Sequence, residues 1–239
     1  MGFLNAELSN INWITSHDLK EPLRKIQIFA SRITHQEPNL SMDIQNSIER
    51  IRKSAGRMQH LVDDILSYSV TGRAEEMFEI VDLQKILHEV LDDLAEEISE
   101  SGAAIKVESL PTAVKAISYQ MVQMFTNLLS NALKYRDAKR RSHIQITCSK
   151  LVATGYEHVL LHGGKSYYRI DIQDNGIGFE PQYNTRIFDI FYRLHSNHTF
   201  NGTGIGLAIC RKIAENHKGA ISAEGSLGVG ATFHFYLPA

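Results

Sequence analysis

The N-terminal part of the chain carries one apolar stripe on each of two predicted helices, and these stripes restrict the possible folds more than any other feature. No glycine interrupts the chain from Phe3 to about Ile33, and apolar residues recur three or four positions apart, which is typical of a helix with one buried face. Residues Thr34 to Leu40, which include Pro38 and Asn39, predict a connection, and Ser41 can cap a second helix of the same kind. The stripe residues are Ile11, Ile14, Leu19, Leu23, Ile26, Ala30 and Ile33 in the first helix, and Ile44, Ile48, Ile51, Ala55, Met58, Val62, Ile65 and Leu66 in the second.

Two helices of this kind form an antiparallel hairpin that cannot bury both stripes by itself. Pairing with a second copy would give a four-helix bundle with the stripes in its core. The sequence therefore predicts an all-α helical hairpin over residues 1–73 and a homodimer formed through it.

The pattern changes after a short polar segment. We expect a linker at residues 74–79 and a second domain at residues 80–239, in which helical and strand patterns alternate. This combination predicts an α+β sandwich with helices on one face of a mixed sheet. The expected helices are Val81–Ser99, Ser118–Asp137 with a serine cap, and 207–217, and the expected strands are Ala104–Glu108, His143–Ser149, Tyr167–Gln173, Ala220–Ala223 and Thr232–Leu237.

Composition disfavours several classes of partner and setting. Lysine and arginine number 25 against 27 acidic residues without a basic block, so nucleic acid is not an expected partner. Cys148 and Cys210 lie far apart, which disfavours a disulfide framework and favours a reducing, cytoplasmic setting. No apolar run approaches the ~18 residues needed to cross a bilayer, so we expect no membrane contact by these residues. Because Met1 leads directly into a helical pattern, we expect a piece of a longer protein with a sensor domain upstream.

One face of the helix predicted over Ser118–Asp137 is polar. Asn127, Asn131, Lys134 and Tyr135 recur at helical spacing along it. Asparagine is a poor helix former, so two copies in mid-helix suggest a function. An asparagine oxygen is a suitable ligand for Mg²⁺, although a solvated polar face would give the same pattern in this helix taken alone.

Two glycine-bearing segments follow. Asp174-Asn175-Gly176-Ile177-Gly178 begins like a hairpin turn, but that interpretation leaves Gly178 unexplained. Gly202-Thr203-Gly204-Ile205-Gly206-Leu207 places three alternating glycines before a predicted helix, where free N–H groups favour phosphate. Its spacing is not that of a dinucleotide-binding loop. Gly164-Lys165-Ser166 imitates the end of a Walker A loop, but Val159 stands where the first glycine should be, so we expect a hairpin loop there.

The segment Ser16-His17-Asp18-Leu19-Lys20-Glu21-Pro22 lies on the first predicted helix, with His17 off the apolar stripe. Pro22 removes a backbone hydrogen bond and is expected to bend the helix just beyond it. Together with Asn127-Leu128-Leu129-Ser130-Asn131 and the two glycine-bearing segments, in this order and spacing, it resembles the transmitter region of sensor histidine kinases. The resemblance covers the chain from about residue 10 to its end, and it implies a dimerisation and phosphoacceptor hairpin followed by an ATP-binding domain of the GHKL type.

The resemblance also implies roles for individual residues. His17 would take a phosphoryl group from ATP, assisted by Asp18 as proton acceptor, and pass it to an aspartate of a response regulator. Asp174 would accept a hydrogen bond from the adenine amino group, and because a carboxylate cannot donate, ATP is favoured over GTP. Arg193 would reach the phosphates, and Ser196 to Asn201 would form a lid. The other implied nucleotide ligands are Asn127, Asn131, Lys134, Tyr135, Gly176, Gly178, Gly202, Thr203, Gly204, Gly206 and Leu207, with Asn131 also on Mg²⁺.

Two other functions stay open at this point. A GHKL ATPase of the chaperone, topoisomerase or mismatch-repair type would share the second domain but would lack the hairpin with His17. A dimeric scaffold without catalysis would need neither Asn131 nor Asp174 nor the lid glycines. His195 and His198 lie three apart on a polar loop, where solvated histidines are commoner than metal ligands.

One position departs from the family pattern. Family members that also dephosphorylate their regulators tend to carry Thr or Asn four residues after the phosphoacceptor histidine, where this chain has Glu21. A hydroxyl or amide can orient the attacking water, whereas a carboxylate brings negative charge toward an anionic centre. We therefore expect kinase and phosphotransfer activity with weak or no phosphatase activity.

Overall fold

The structure is a computed structural model that describes residues 2–37, 40–69, 77–153, 161, 163–194 and 202–239, without the side chains of residues 2–18, 57, 60 and 66–69. The chain divides into two compact units, Met1–Gly72 and Arg73–Ala239. A helical unit followed by a mixed α/β unit agrees with the fold class expected from the sequence.

The first unit is a hairpin of two helices, α1 over Gly2–Gln36 and α2 over Met42–Ser69. Lys20 forms an ion pair with Asp63, and Gln27 Nε2 donates to Gln59 Oε1 at 3.1 Å, so the two helices run antiparallel. The expected connection is present, although Pro38 and Asn39 lie outside the described residues, and α1 continues past Ile33. The expected cap is confirmed, because Ser41 Oγ accepts from the Ile44 N–H at 3.5 Å.

A single hairpin covers only part of its two apolar stripes. Leu23, Ala30, Ile48 and Ala55 are buried. Other stripe residues keep 38% to 53% of their surface exposed, namely Leu19, Ile26, Ile33, Ile44, Ile51, Met58 and Ile65. The hairpin therefore presents a large apolar surface along both helices.

The second unit combines helices and strands. In chain order the elements are β1 Glu79–Val81, α3 Leu83–Asp93, α4 Ala95–Ser101, β2 Ala104–Val107, β3 Val114–Ala116, α5 Ser118–Lys134, β4 His143–Val152, β5 Ser166–Asp174, α6 Gly206–Asn216, β6 Ala220–Ser226 and β7 Gly230–Pro238, with short 3-10 turns at Pro181–Tyr183 and Arg186–Phe188. Five strands form a sheet in the order β2-β4-β5-β7-β6, which helices cover on one face. Strand β2 pairs with β4 in parallel, and the other neighbours are antiparallel. The two remaining strands, β1 and β3, pair with each other.

The core of this unit lies between the sheet and helices α3, α5 and α6. Helix α5 contacts β5, and α6 contacts β6 and β7. Buried side chains alternate in parts of β4, β5 and β7, as expected for a sheet covered on one face. Tyr167 and Tyr236 do not follow that alternation and are buried in a small cluster with Ala153, Leu161 and Ala220. The residues that fill this layer include Leu87, Met124, Phe125, Leu128, Ile144, Ile146, Ile170, Ile172, Ile209, Ile213, Phe233 and Phe235.

The helix predicted over Val81–Ser99 is wrong at its start and in its continuity. Glu79–Val81 pairs as β1 with Val114–Ala116, and the helix begins only after Asp82, whose side chain accepts from the Lys85 N–H at 3.0 Å. The helix then breaks at Leu94, which is buried at the junction of α3 and α4. Glu79, assigned to the linker from the sequence, is part of β1, while residues 74–76 lie outside the described residues.

The predicted serine cap of α5 is also wrong. Ser118 is the first helical residue, the N-cap is Ile117, and no side chain among the described residues caps the helix. The helix ends at Lys134, three residues before Asp137, because Tyr135 leaves helical geometry as its C-cap.

The paired strands β4 and β5 are confirmed and are longer than predicted. Ala153 N donates to Lys165 O at 2.9 Å, and Gly164 N donates to Ala153 O at 2.8 Å. Gly164-Lys165-Ser166 is therefore part of the hairpin that joins these strands, as expected.

Candidate functional site

A cavity opens beside α5, between the segment that follows β5 and the residues that precede α6. Most of its wall is apolar, and the polar groups are few, which is typical of sites for small organic ligands. The lining residues are Asn131, Tyr135, Asp174, Ile177, Gly178, Phe179, Ile187, Tyr192, Arg193, Leu194, Leu207, Ala231 and Phe233.

Asp174 is the acidic group of this cavity and lies at the end of β5. Burial raises the pKa of its carboxyl, against the opposing effect of hydrogen bonds from the Gly176 and Ala231 backbone and of the Arg140 charge. The Gly176 N–H donates to Asp174 Oδ1 at 2.8 Å. The carboxyl is thus held in a fixed position in a mostly apolar wall, where it can accept a hydrogen bond from a ligand.

The two glycines after Asp174 are required by the protein backbone itself. A Cβ at Gly176 would collide with the carbonyl oxygen of Tyr135. Gly178 has a φ of +62°, and a Cβ there would collide with the carbonyl oxygen of Ser226. The segment 174–178 therefore packs closely between the end of α5 and the turn between β6 and β7.

Backbone hydrogen bonds hold the same segment from both sides. Ile177 N donates to Tyr135 O at 2.9 Å, and Gly228 N donates to Ile177 O at 2.7 Å. The Asn175 side chain adds two bonds, accepting from His143 N at 2.8 Å and donating to Arg141 O at 2.9 Å. A hairpin turn, the simplest interpretation of Asp-Asn-Gly, is not what forms here.

The polar face of α5 is turned toward the cavity and toward the glycine segment before α6. Asn131 and Tyr135 line the cavity. Lys134 Nζ lies 4.5 Å from the centre of the Tyr135 ring, and a Cβ on Gly202 would collide with it at 2.5 Å. All four residues of this face are only partly exposed, so the interpretation as a solvated face does not fit the structure.

Asn127, one turn before Asn131, lies deeper. Its Oδ1 is 3.2 Å from the position that a Cβ on Gly206 would occupy. Burial raises the pKa of the neighbouring Cys210 thiol to about 12, and the Asn127 side chain opposes that rise. A thiol is at most a weak hydrogen-bond partner, and Asn127 Nδ2 is buried without a partner of normal geometry among the described residues.

The residues before α6 contact the segment 186–194 directly. Phe191 N donates to Gly204 O at 3.0 Å. Gly204 has a φ of +77°, and a Cβ there would lie 3.1 Å from Arg193 Cγ. Thr203 Oγ1 accepts from Ile205 N at 3.4 Å, and Gly206 is the first residue of α6, not the residue before it. Arg193 and Leu207, from the two sides of this contact, both line the cavity.

The structure thus brings most of the expected nucleotide residues to one place. Asn131, Tyr135, Asp174, Gly178, Arg193 and Leu207 line the cavity, and Asn127, Lys134, Gly176, Gly202, Thr203, Gly204 and Gly206 lie in the segments around it. His17 and Asp18 lie on α1 in the other unit, and their side chains are outside the described part of the chain. His195, His198 and the expected lid Ser196–Asn201 also lie outside the described residues.

Sequence reasoning missed much of the apolar wall. Phe179, Ile187, Tyr192 and Leu194 come from the irregular segment after β5. Ala231 and Phe233 come from β7, where their alternation predicts only an inward-facing position and not a place at a cavity. A sheet pattern cannot distinguish a core position from a cavity wall, because both require apolar side chains.

Comparison with known proteins gives two family matches. Residues 116–239 match the family described as histidine kinase-, DNA gyrase B- and HSP90-like ATPase, and residues 14–70 match the His Kinase A (phospho-acceptor) domain. These ranges correspond to the unit with the cavity and to the hairpin with His17.

Several characterised proteins are similar along nearly the whole chain. Cyanobacterial phytochrome A of Nostoc sp. is 37% identical over 98% of this chain, and phytochrome-like protein Cph1 of Synechocystis sp. is 36% identical over the same share. The methanogenesis regulatory histidine kinase FilI of Methanothrix harundinacea is 30% identical over 98%. The chain spans only 29%, 29% and 25% of the length of these relatives.

Solved structures agree in fold. Full-length ShkA in complex with AMPPNP superposes with a TM-score of 0.70 and 26% identity, covering 96% of this chain and 45% of that one. The histidine kinase ThkA in complex with the response regulator protein TrrA gives a TM-score of 0.61 over 98% of this chain and 64% of that one, at 21% identity. In the described part of the present chain, no helix is both long and apolar enough to span a bilayer.

Proposed function

Because the chain belongs to the sensor histidine kinases, we propose that it catalyses ATP-dependent phosphorylation of its own His17 and passes the phosphoryl group to an aspartate of a response regulator. The observation that carries this proposal is the cavity in which a partly buried carboxyl, Asp174, faces the polar side of α5 and the glycine segment before α6. The hairpin with His17 in the same chain supplies an acceptor for the phosphoryl group.

The cavity fits the base of ATP. Its wall is mostly apolar and offers Phe179, Phe233 and Ile187 for contact with a flat ring. Asp174 is the acidic group within that wall, and as an acceptor it suits the amino group of adenine and opposes the oxygen that guanine carries at the same position. The site therefore favours ATP over GTP.

The other end of the cavity suits phosphate groups. Lys134, Arg193 and the N–H groups at the start of α6 supply positive charge and donors near the glycine segment. Asn131 lines the cavity and is our candidate ligand for Mg²⁺, which when bound would offset charge on the phosphate oxygens. The buried Nδ2 of Asn127, which has no partner of normal geometry in the described part of the chain, is a further donor in this region.

His17 is the proposed nucleophile. One neutral ring nitrogen attacks the γ-phosphorus while the bond to the ADP oxygen breaks, and ADP leaves. Asp18, next in sequence, orients the ring and accepts the proton from its other nitrogen. A carboxylate oxygen of a regulator aspartate would then attack the phosphorus, and the bond between phosphorus and the His17 nitrogen would break.

The proposed partners are a second copy of the chain and a response regulator. The exposed apolar residues along α1 and α2 support a homodimer through the hairpin, since a second hairpin would cover them in a four-helix bundle. ThkA, which shares the fold, is known in complex with the response regulator protein TrrA. Because the chain spans less than a third of the length of these relatives, we also propose a sensor domain upstream. A cytoplasmic position for the kinase region is proposed from its two widely separated cysteines, which favour a reducing setting.

One experiment separates this function from its rivals. Incubation with labelled ATP and Mg²⁺ should leave phosphate on the protein that is labile to acid and stable to alkali, as expected for a phosphoramidate. A GHKL ATPase of another kind would release phosphate without retaining it on the chain, and a scaffold would neither bind nor hydrolyse ATP. Either of those results would contradict the proposal.

A further inference from the structure

The segment 174–178 that carries Asp174 has a third attachment, a side chain from the turn after α5. Arg140 Nη2 donates to the carbonyl oxygen of Gly176 at 2.6 Å and to that of Val229 at 2.9 Å. One guanidinium thus joins the segment after β5 to the turn between β6 and β7. Val229, in that turn, lies 89 positions after Arg140 in the sequence.

Arg140 is itself held in place by the turn that contains it. Its backbone N–H donates to Asp137 O at 3.3 Å, and its Nε lies 3.6 Å from Asp137 Oδ2. Asp137 Oδ1 also accepts from Lys139 N at 2.9 Å. The guanidinium therefore stands on a locally ordered turn, with 35% of its side chain exposed.

The bond to Gly176 acts on the residue that fixes the acidic group of the cavity. The Gly176 N–H donates to Asp174 Oδ1, while the Gly176 carbonyl accepts from Arg140. These two groups belong to successive peptide units that meet at the Gly176 Cα. A rotation of the 176–177 unit away from Arg140 would therefore change the backbone angles of Gly176 and move the N–H donor away from the carboxyl. The Arg140 charge also opposes the rise that burial imposes on the pKa of Asp174 and so favours the ionised acceptor.

We propose that Arg140 is a positioning residue for base recognition, which holds the Gly176 backbone through its carbonyl group and thereby aims the Asp174 carboxylate at the amino group of adenine. This inference rests on the proposed function, because it needs ATP in the cavity. Arg140 lines no part of the cavity itself, so it acts through Gly176 and Asp174. Removal of the Arg140 side chain should therefore reduce the affinity gained from the amino group more than it reduces the affinity for the rest of the nucleotide.

The test compares the affinity of the full chain for ATP and for purine riboside triphosphate, which lacks the amino group. The parent should bind ATP about fivefold more tightly or better, the effect of one hydrogen bond. Equal affinities in the parent would overturn the assignment of adenine to Asp174, whatever Arg140 does. The proposed function and this inference therefore fail in different ways.

Three variants then test Arg140. Arg140→Ala should bring the affinities for ATP and for the analogue to within about twofold of each other. The variant should lose less affinity for the amino-free analogue than for ATP. Arg140→Lys, which keeps a cation with N–H donors, should restore at least half of the parent ratio. Arg141→Ala removes the same charge at the next, exposed position and should keep the parent ratio.

An equal loss of both affinities in Arg140→Ala would show a general structural clamp and overturn the inference. An unchanged ratio would overturn it as well. Thermal unfolding by circular dichroism is measured for each variant, and if Arg140→Ala does not fold, Arg140→Gln replaces it with the same expected fall in the ratio.

Discussion

At the scale of single residues, Glu21 is the position on which we base a prediction about phosphatase activity toward the regulator. The structure pairs Glu21 Oε1 with Lys25 Nζ at 2.6 Å on the exposed surface of α1, while Lys20, one of the neighbours that could have neutralised it, pairs with Asp63. An exposed ion pair at this spacing contributes little to stability, and it leaves the carboxylate four residues after the phosphoacceptor histidine.

We therefore predict that the parent does not accelerate loss of phosphate from its regulator. A purified receiver domain, phosphorylated by this chain and then separated, is incubated with the chain, ADP and Mg²⁺, and its decay is followed. Glu21→Thr should accelerate the decay, since a hydroxyl can orient the attacking water. Lys25→Gln, which breaks the ion pair but keeps the glutamate, is the matched control and should leave the decay unchanged. Rapid decay with the parent that disappears in Glu21→Ala would show that the glutamate supports hydrolysis.

Residue types and spacing, together with the family resemblance, were enough to select Asp174, Asn131 and the glycines as candidate site residues, but they did not explain why each glycine is needed. Gly176 and Gly178 are explained by close approach to Tyr135 and Ser226, residues that lie about 40 to 50 positions away in the chain. Arg140 gave no signal at all, because an arginine among Lys139, Arg140 and Arg141 looks like any solvated basic turn. Its role depends on two carbonyl groups that only the folded chain brings together.

At the scale of elements, His217 ties α6 to the start of α5. It is 3% exposed, its Nε2 accepts from Ile117 N at 3.0 Å, and its Nδ1 donates to Ile213 O at 2.8 Å. The Phe78 ring packs edge-on against the His217 ring, with 5.0 Å between the ring centres. Only the neutral imidazole can make both hydrogen bonds, and burial lowers the pKa of His217.

This contact predicts a pH dependence of stability with a definite sign. Unfolded His217 binds a proton at about pH 6.5, whereas the folded form resists protonation. Its contribution is therefore complete above that pH and is lost as the pH falls toward the lower pKa of the folded state. The melting temperature should drop more between pH 7.5 and 5.5 in the parent than in His217→Gln. His88→Gln, at an exposed histidine of α3, should behave like the parent, and equal drops in the parent and His217→Gln would contradict the prediction.

The elements themselves were predictable where one local pattern decided them. The long helices and the β4–β5 pair followed from periodicity alone. Strand β1 did not, because three residues next to a helix carry no period, and its pairing with β3 depends on contact across more than 30 residues. The break at Leu94 was hidden for a similar reason, since the sequence around it contains neither glycine nor proline.

At the scale of the whole molecule, the exposed stripes of the hairpin predict a dimer. Ile51, which keeps 53% of its surface exposed in one chain, should be covered by the second copy. Ile51→Glu should weaken dimerisation at least tenfold, since burial of one such side chain contributes about 1.5 to 3 kcal/mol and the symmetric dimer contains two. Sedimentation equilibrium measures the change, and Lys53→Gln on the same helix is the control. A parent that stays monomeric at high concentration would contradict the dimer.

The central claim is that one histidine of the hairpin receives the phosphoryl group bound in the other unit. Labelled ATP with Mg²⁺, followed by mapping of the phosphorylated residue in the parent, His17→Gln and His35→Gln, tests it most directly. We predict label on His17 in the parent, no label in His17→Gln with ATP affinity kept within about twofold, and parent-like labelling in His35→Gln, another histidine of α1. Labelling of His17→Gln to the level of the parent would contradict the account.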